Sequence, residues 1–291
     1  MSLFTLQKQK AIEPEELMPR PACAEVKTDV AATAQTIDIP IPTDHFIHGM
    51  LISIGEEVAS ADAVLADDLT DISLILNGNN YVKEMTGDMC KAVSIMNKNV
   101  MSTGYYMLYF TDPKIPKAKP LPAWLFSSIL LRLKDSAPAA TMFHYLNVTL
   151  FESAGREISG DWALLIEKYL RWKKYGTDTG WMDYDHERAY NVFGYLYTID
   201  DDGTLSDTEY DKLRVIARTK EGEKRIFNET RIDHLKQQDQ VEYQNALPTG
   251  FVAVEFPAGL PTAKYTSLTS QLNIPTAATN AGLRVLERYC L

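Results

Sequence analysis

Read for its hydrophobic and polar positions, the chain alternates with a period of two in short runs. Asp71 to Leu76 (DISLIL) sets Ile72, Leu74 and Leu76 on one face, and Lys212 to Ala217 (KLRVIA) does the same with Leu213, Val215 and Ala217. This is the pattern of half-buried strands. Ile47 to Ile54, Tyr105 to Phe110, Ser128 to Leu133 and Tyr145 to Phe151 also read as strands, separated by Asn-Gly, Asp-Pro and Pro-rich turns. Short strands so spaced predict an all-β sandwich or jelly roll, not alternating β and α units. One short helix interrupts each half, at Thr86 to Met96 and at Thr230 to Gln240. Both start on a Thr able to cap.

The pattern occurs twice. Thr36 to Ser53 (TIDIPIPTDHFIHGMLIS) lies ungapped on Trp181 to Thr198 (WMDYDHERAYNVFGYLYT), sharing Asp38 with Asp183, Gly49 with Gly194 and Leu51 with Leu196. DISLIL then precedes KLRVIA in order, and TGYYMLYF at Thr103 is echoed by TGFVAVEF at Thr249. SILLRL at Ser128 matches SLTSQL at Ser267, and Leu146 with Val148 matches Leu283 with Val285. Five blocks in one order, at offsets of 137 to 146 positions, point to a duplicated domain with small loop changes.

The expected division is an N-terminal arm (residues 1–35), a first jelly roll (36–152), an inter-barrel connection (153–179) and a second jelly roll (180–291). The arm mixes Lys, Glu, Pro and Ala and lacks a core of its own. In the connection, Asp161 to Tyr175 (DWALLIEKYLRWKKY) reads as an amphipathic helix, with Trp162, Leu165, Ile166, Tyr169 and Leu170 on one side. Its end could also be a strand opening the second copy.

Composition narrows the classes. A chain of 291 residues suffices for two ordinary domains, and 45% hydrophobic with 23% charged residues is globular. The formal net charge of −10 disfavours direct binding of a nucleic-acid backbone by the whole protein. Three cysteines, Cys23, Cys90 and Cys290, without CxxC spacing offer no closed disulfide framework, so a reducing compartment is expected. No apolar run is long enough for a membrane helix and the first residues do not resemble a signal peptide, so a soluble chain made in a cytoplasm is expected.

Candidate chemistry is sparse. Thr198 to Glu209 (TIDDDGTLSDTE) fits much of a calcium-binding loop, with Asp200, Asp202 and Glu209 at ligand places and Gly203 at the turn. Thr198 stands where the first carboxylate belongs and the preceding run is strand-like, so an acidic turn is the plainer reading. No other cofactor is expected. His45 and His48 form an HxxH pair, but three residues apart on a strand they point to opposite faces and would not share a metal. His144, His186 and His234 are scattered, and paired carboxylates such as Glu56 with Glu57 and Asp67 with Asp68 read as solvated loops. Tyr105, Tyr106, Tyr109 and Phe110 could form a stacking platform, yet their echo at Phe251 and Phe256 favours strand packing. No GxSxG, P-loop, HExxH or dinucleotide fingerprint occurs, so no enzyme is expected.

In each copy a polar lead enters a strand (HFIHGMLISI, NVFGYLYTID), followed by an alternating strand, a short helix and a TG-aromatic strand closed by Phe. That order resembles the double jelly-roll major capsid proteins of tailless, lipid-containing icosahedral bacteriophages, the corticovirus type and its relatives. The join RWKKYGTDTG before the second copy is similar to the opening of the second barrel in that family. The resemblance implies a virion coat protein, made in the host cytoplasm, whose homotrimers mimic hexamers and tile a shell around an internal membrane. Its implied partners are itself, other capsid proteins such as vertex proteins and, through the arm, the membrane. The other classes left open are a tandem β-sandwich module binding a ligand or calcium, and a hydrolase on a β scaffold.

Overall fold

Each barrel is built by antiparallel strands, some alternating with one face buried and others buried on both faces. The computed structural model describes residues 18–23, 36–58, 61–63, 69–102, 104–135, 145–155, 158, 162–188, 190–276 and 280–291. In the first half these form β1 (Met18–Cys23), β2 (Thr36–Ile41), β3 (Phe46–Val58), β4 (Leu69–Leu76), β5 (Asn80–Met85), α1 (Gly87–Met96), β6 (Tyr105–Tyr109), β7 (Ile129–Asp135) and β8 (Tyr145–Ser153). In the second they form β9 (Leu165–Gly176), β10 (Gly180–Asp185), β11 (Asn191–Asp201), β12 (Lys212–Thr219), β13 (Gly222–Arg231), α2 (Ile232–Tyr243), β14 (Phe251–Pro261), β15 (Ser267–Ile274) and β16 (Ala281–Cys290). Shorter ladder pieces at Ala61–Ala63, Leu121–Pro122 and Thr204–Leu205 extend β3 and β11.

Strand order repeats between the halves. The first barrel packs a sheet β1-β8-β3-β6 against a sheet β2-β7-β4-β5. The second packs β9-β16-β11-β14 against β10-β15-β12-β13, the same order shifted by eight strands. Two four-stranded antiparallel sheets so connected are a jelly roll, and the chain holds two in tandem. Their cores come from the predicted alternation: Ile129, Leu131 and Leu133 are buried on β7, as are Leu268, Leu272 and Ile274 on β15. Burying each such side chain contributes roughly 1.5–3 kcal/mol.

The TG steps have one physical cause in both copies. Gly104 and Gly250 stand at φ +78 and +79. Their carbonyls accept from Ile54 N at 2.9 Å and Ile199 N at 2.7 Å, tying each turn to the long strand beside it. A side chain there would meet both a disfavoured dihedral and, at Gly250, the Ile199 carbonyl oxygen 2.7 Å from its Cβ.

Three expectations need correction. The helix read over Asp161 to Tyr175 gives way to its alternative, a strand opening the second copy, because Leu165–Gly176 is β9, paired with β16 on one side and β5 on the other. Leu164, Leu165, Ile166 and Glu167 are all buried. A strand covered on both faces loses its alternation, and its apolar residues then imitate helical spacing. The second helix begins at Ile232 with Arg231 as its cap residue, and no side chain caps it. Thr230 instead donates to the Asn228 carbonyl at 3.0 Å. Thr86 does cap α1, accepting from Met89 N at 3.2 Å. Finally, β1 lies within the stretch read as an arm and pairs with β8 as β9 pairs with β16. Its Pro19 and Pro21 suit an edge strand, where missing N–H groups cost no ladder bond.

The barrels share one continuous sheet. β9 runs parallel to β5, with Glu167 opposite Lys83 and Lys168 opposite Glu84. None of the described helices is long and apolar enough to cross a membrane.

Candidate functional site

The most concentrated chemistry lies where the barrels meet, in charged residues inserted into otherwise apolar strands. Arg288, on β16, is wholly buried and forks to three carboxylates. Its Nε donates to Glu167 Oε1 at 2.9 Å, its Nη2 to Asp112 Oδ2 at 2.5 Å and its Nη1 to Glu255 Oε1 at 3.3 Å. Lys83, on β5 and also wholly buried, donates to Glu167 Oε2 at 2.8 Å. Lys114, in the segment after β6, bridges Glu242 and Glu255, each at 2.6 Å. Lys83, Asp112 and Lys114 belong to the first barrel, whereas Glu167, Glu242, Glu255 and Arg288 belong to the second. Every link from one set to the other is therefore an inter-barrel tie.

Burial and charge oppose each other in this network. Burial works to raise the Glu167 carboxyl, but Lys83 and Arg288 outweigh it and hold the group below its ordinary value. Burial likewise works against the Arg288 guanidinium, and Glu167, Asp112 and Glu255 hold its proton all the more firmly. Burial lowers Lys83 in spite of Glu167. At the edge, Glu255 is raised by burial, and Asp239 on α2 is pushed up to about 7 by the same cause. Asp239 accepts from Ala253 N at 3.0 Å and borders an open cleft of about 570 Å³ with Phe227, Leu235, Val241 and Glu255. Such an array suits mechanical locking rather than proton transfer, since its charges are mutually satisfied.

A second buried array sits inside the second barrel. His186 Nδ1 lies 2.7 Å from Glu287 Oε1, and its Nε2 lies 2.6 Å from Ser270 Oγ. The contacts follow the order of an acid–histidine–serine triad. Ser270, however, has no exposed surface and shares its hydroxyl with Tyr197 at 2.6 Å, while His186 stacks on Tyr195 at 4.0 Å. A nucleophile sealed in a core meets no substrate; the cluster satisfies the polar groups that the strands bury.

The residues singled out by sequence are dispersed. Asp200 Oδ1 accepts from Gly203 N at 3.0 Å, Asp202 Oδ1 accepts from Asn280 Nδ2 at 3.0 Å, and Glu209 Oε1 accepts from Ser206 Oγ at 3.2 Å. Each of the three carboxylates thus has a different partner. His48 turns to Ser153 Oγ at 2.8 Å, while His45 lies beside Asp44 and Glu152. His234 is exposed, and His144, Asp67 and Asp68 fall outside the described residues. Tyr106, Phe110 and Phe251 are buried in the cores. Sequence reasoning missed both buried arrays because their bonded members lie 33 to 176 positions apart. The available signal was an adjacent pair of opposite charges within an apolar strand, as in LLIEKY and VLERYC.

No family model matches the chain, and no curated protein sequence matches it. Solved structures do. The STIV MCP superposes with a TM-score of 0.71 at 12% identity, covering 94% of this chain and 97% of that one. The major capsid protein P2 from bacteriophage PM2 gives 0.67 at 11% identity, over 94% and 98%. The PBCV-1 virus capsid subunit gives 0.63 at 11%, over 99% and 96%. The fold is thus the double jelly roll seen in these viral major capsid proteins. At such identities the likeness is one of fold.

Proposed function

We propose that this chain is a structural coat subunit that forms pseudo-hexagonal homotrimers and tiles an icosahedral capsid around an internal membrane, without enzymatic activity. The observation that carries it is the pairing of two barrels alike strand for strand, joined through the β5–β9 ladder and the Arg288 network. Three such subunits around an axis present six similar lobes, an object able to fill a hexagonal lattice. The fold shared along nearly the whole length of the capsid proteins supports the same reading. A net charge of −10 suits a shell that does not itself neutralise a genome. Contact of residues before Met18 with the membrane, and association with vertex proteins, rest on the resemblance to corticovirus-type coat proteins. Analytical ultracentrifugation with negative-stain imaging tests the core of it. Trimers with a six-lobed outline are expected; a chain that stays monomeric at high concentration refutes the reading.

A further inference from the structure

The two barrels make an internal comparison possible, and at one equivalent position their chemistry is opposite. Glu152 on β8 faces Ile47 across the ladder as Tyr289 on β16 faces Val192. The His45 carbonyl accepts from Ala123 N at 3.1 Å as the Tyr190 carbonyl accepts from Thr262 N at 3.2 Å. His45 and Glu152 thus stand where the second barrel has Tyr190 and Tyr289. Those two tyrosines stack at 4.5 Å with their planes 8° apart. An apolar stack is therefore sufficient to close this end of a barrel. The first barrel instead places an imidazole and two carboxylates there, and Glu152 is only 5% exposed. The barrel fold by itself does not call for that buried carboxylate, which carries a desolvation cost.

The trio has ligand geometry. His45 Nδ1 lies 3.2 Å from Asp44 Oδ2 and 3.7 Å from Glu152 Oε2. Among the described residues these are the one group of three His, Cys, Asp or Glu whose donor atoms all lie within 4.8 Å of one another. Two metal–ligand bonds of about 2.0–2.2 Å at a tetrahedral angle span about 3.4 Å, so only small side-chain movements are needed. We infer that Asp44, His45 and Glu152 form a divalent-cation site of the zinc or manganese class at the end of the first barrel. One imidazole nitrogen with two carboxylates suits those ions better than calcium, which prefers a larger all-oxygen set. The Asp44 and His45 side chains are 42% and 35% exposed, so water completes the coordination. The ion would clamp the lead into β3 to the end of β8, beyond which the chain leaves for the second barrel. His48, committed to Ser153, takes no part.

The test uses the full chain, stripped with a chelator and titrated calorimetrically with zinc, manganese and calcium. One equivalent of zinc or manganese is expected to bind and raise the melting temperature. Binding should weaken at least tenfold in Asp44→Asn, His45→Ala and Glu152→Gln, each checked for native circular dichroism. If Glu152→Gln does not fold, the two partly exposed variants decide. Absence of saturable zinc or manganese binding, preference for calcium, or unchanged binding in the folded variants overturns the assignment. So does binding lost instead in Asp202→Asn.

Discussion

Replacing Glu167 by Gln is the sharpest probe of the inter-barrel lock. The substitution keeps shape and leaves an oxygen for Arg288 Nε, but removes the charge shared by Lys83 and Arg288, both wholly buried. Breaking a buried pair by neutralising one partner costs about 3–5 kcal/mol, because the remaining charge stays desolvated. For a chain of this size that corresponds to a melting temperature about 5–8 °C lower. Urea melts and calorimetry at one fixed protein concentration measure it, since oligomerisation would otherwise move the midpoint. Lys83→Met with Glu167→Gln should be less damaging than the sum of the single changes, with a coupling of about 1–3 kcal/mol. Arg132 with Asp38, a largely solvated pair at 2.7 Å, is the control, and breaking it should move the melt far less than Glu167→Gln does. A Glu167→Gln protein within about 0.5 kcal/mol of the parent, the range of ordinary surface changes, would refute the lock.

Thr86→Ala should destabilise by about 1 kcal/mol through loss of the α1 cap, while Thr230→Ala should not, and parallel urea melts compare them. Gly250→Ala should cost about 1–3 kcal/mol by the same measurement, from a positive φ and the nearby Ile199 carbonyl. Asp239 supplies a pH test. Its folded carboxyl lies near 7, above the ordinary value of 3.8, so the folded state holds the proton more tightly than the unfolded state. The contribution is full below the ordinary value and is lost as pH rises through about 7. Asp239→Asn keeps the neutral form at all pH, so its stability relative to the parent should rise between pH 5 and pH 8; a flat difference refutes the assignment.

What the sequence made legible was whatever recurs locally. Alternation in DISLIL and KLRVIA, and the Gly of each TG step, survive as patterns because each barrel turns Ile72 and Leu74, or Leu213 and Val215, into its core and needs a left-handed turn at the glycine. β9 was illegible for the opposite reason: at its start, Leu165 to Glu167, consecutive residues on both faces are buried, so no alternation announces a strand. β1 was hidden by its prolines, which read as a breaker until the edge position explains them. The Arg288 network and the Ser270 cluster depend on partners that only the fold brings together, so no spacing announced them.

The internal duplication also separates what a barrel requires from what this chain adds. Ladder partners equate Arg288 with Phe151, Lys83 with Phe227 and Ser270 with Leu131. At each pair one copy holds an apolar side chain where the other buries a polar or charged one, so the jelly roll itself does not demand the charge. Hydrophobic area fixes no angle, because it is non-directional, whereas a forked guanidinium with three carboxylates admits one arrangement of its partners. Lys83 and Glu167 lie on the facing edge strands β5 and β9, and Arg288 reaches them from β16, one strand in, so their charge acts on the relation between barrels. The β5–β9 ladder sets the register between the barrels, and the buried ions add to it directional ties that apolar packing does not supply.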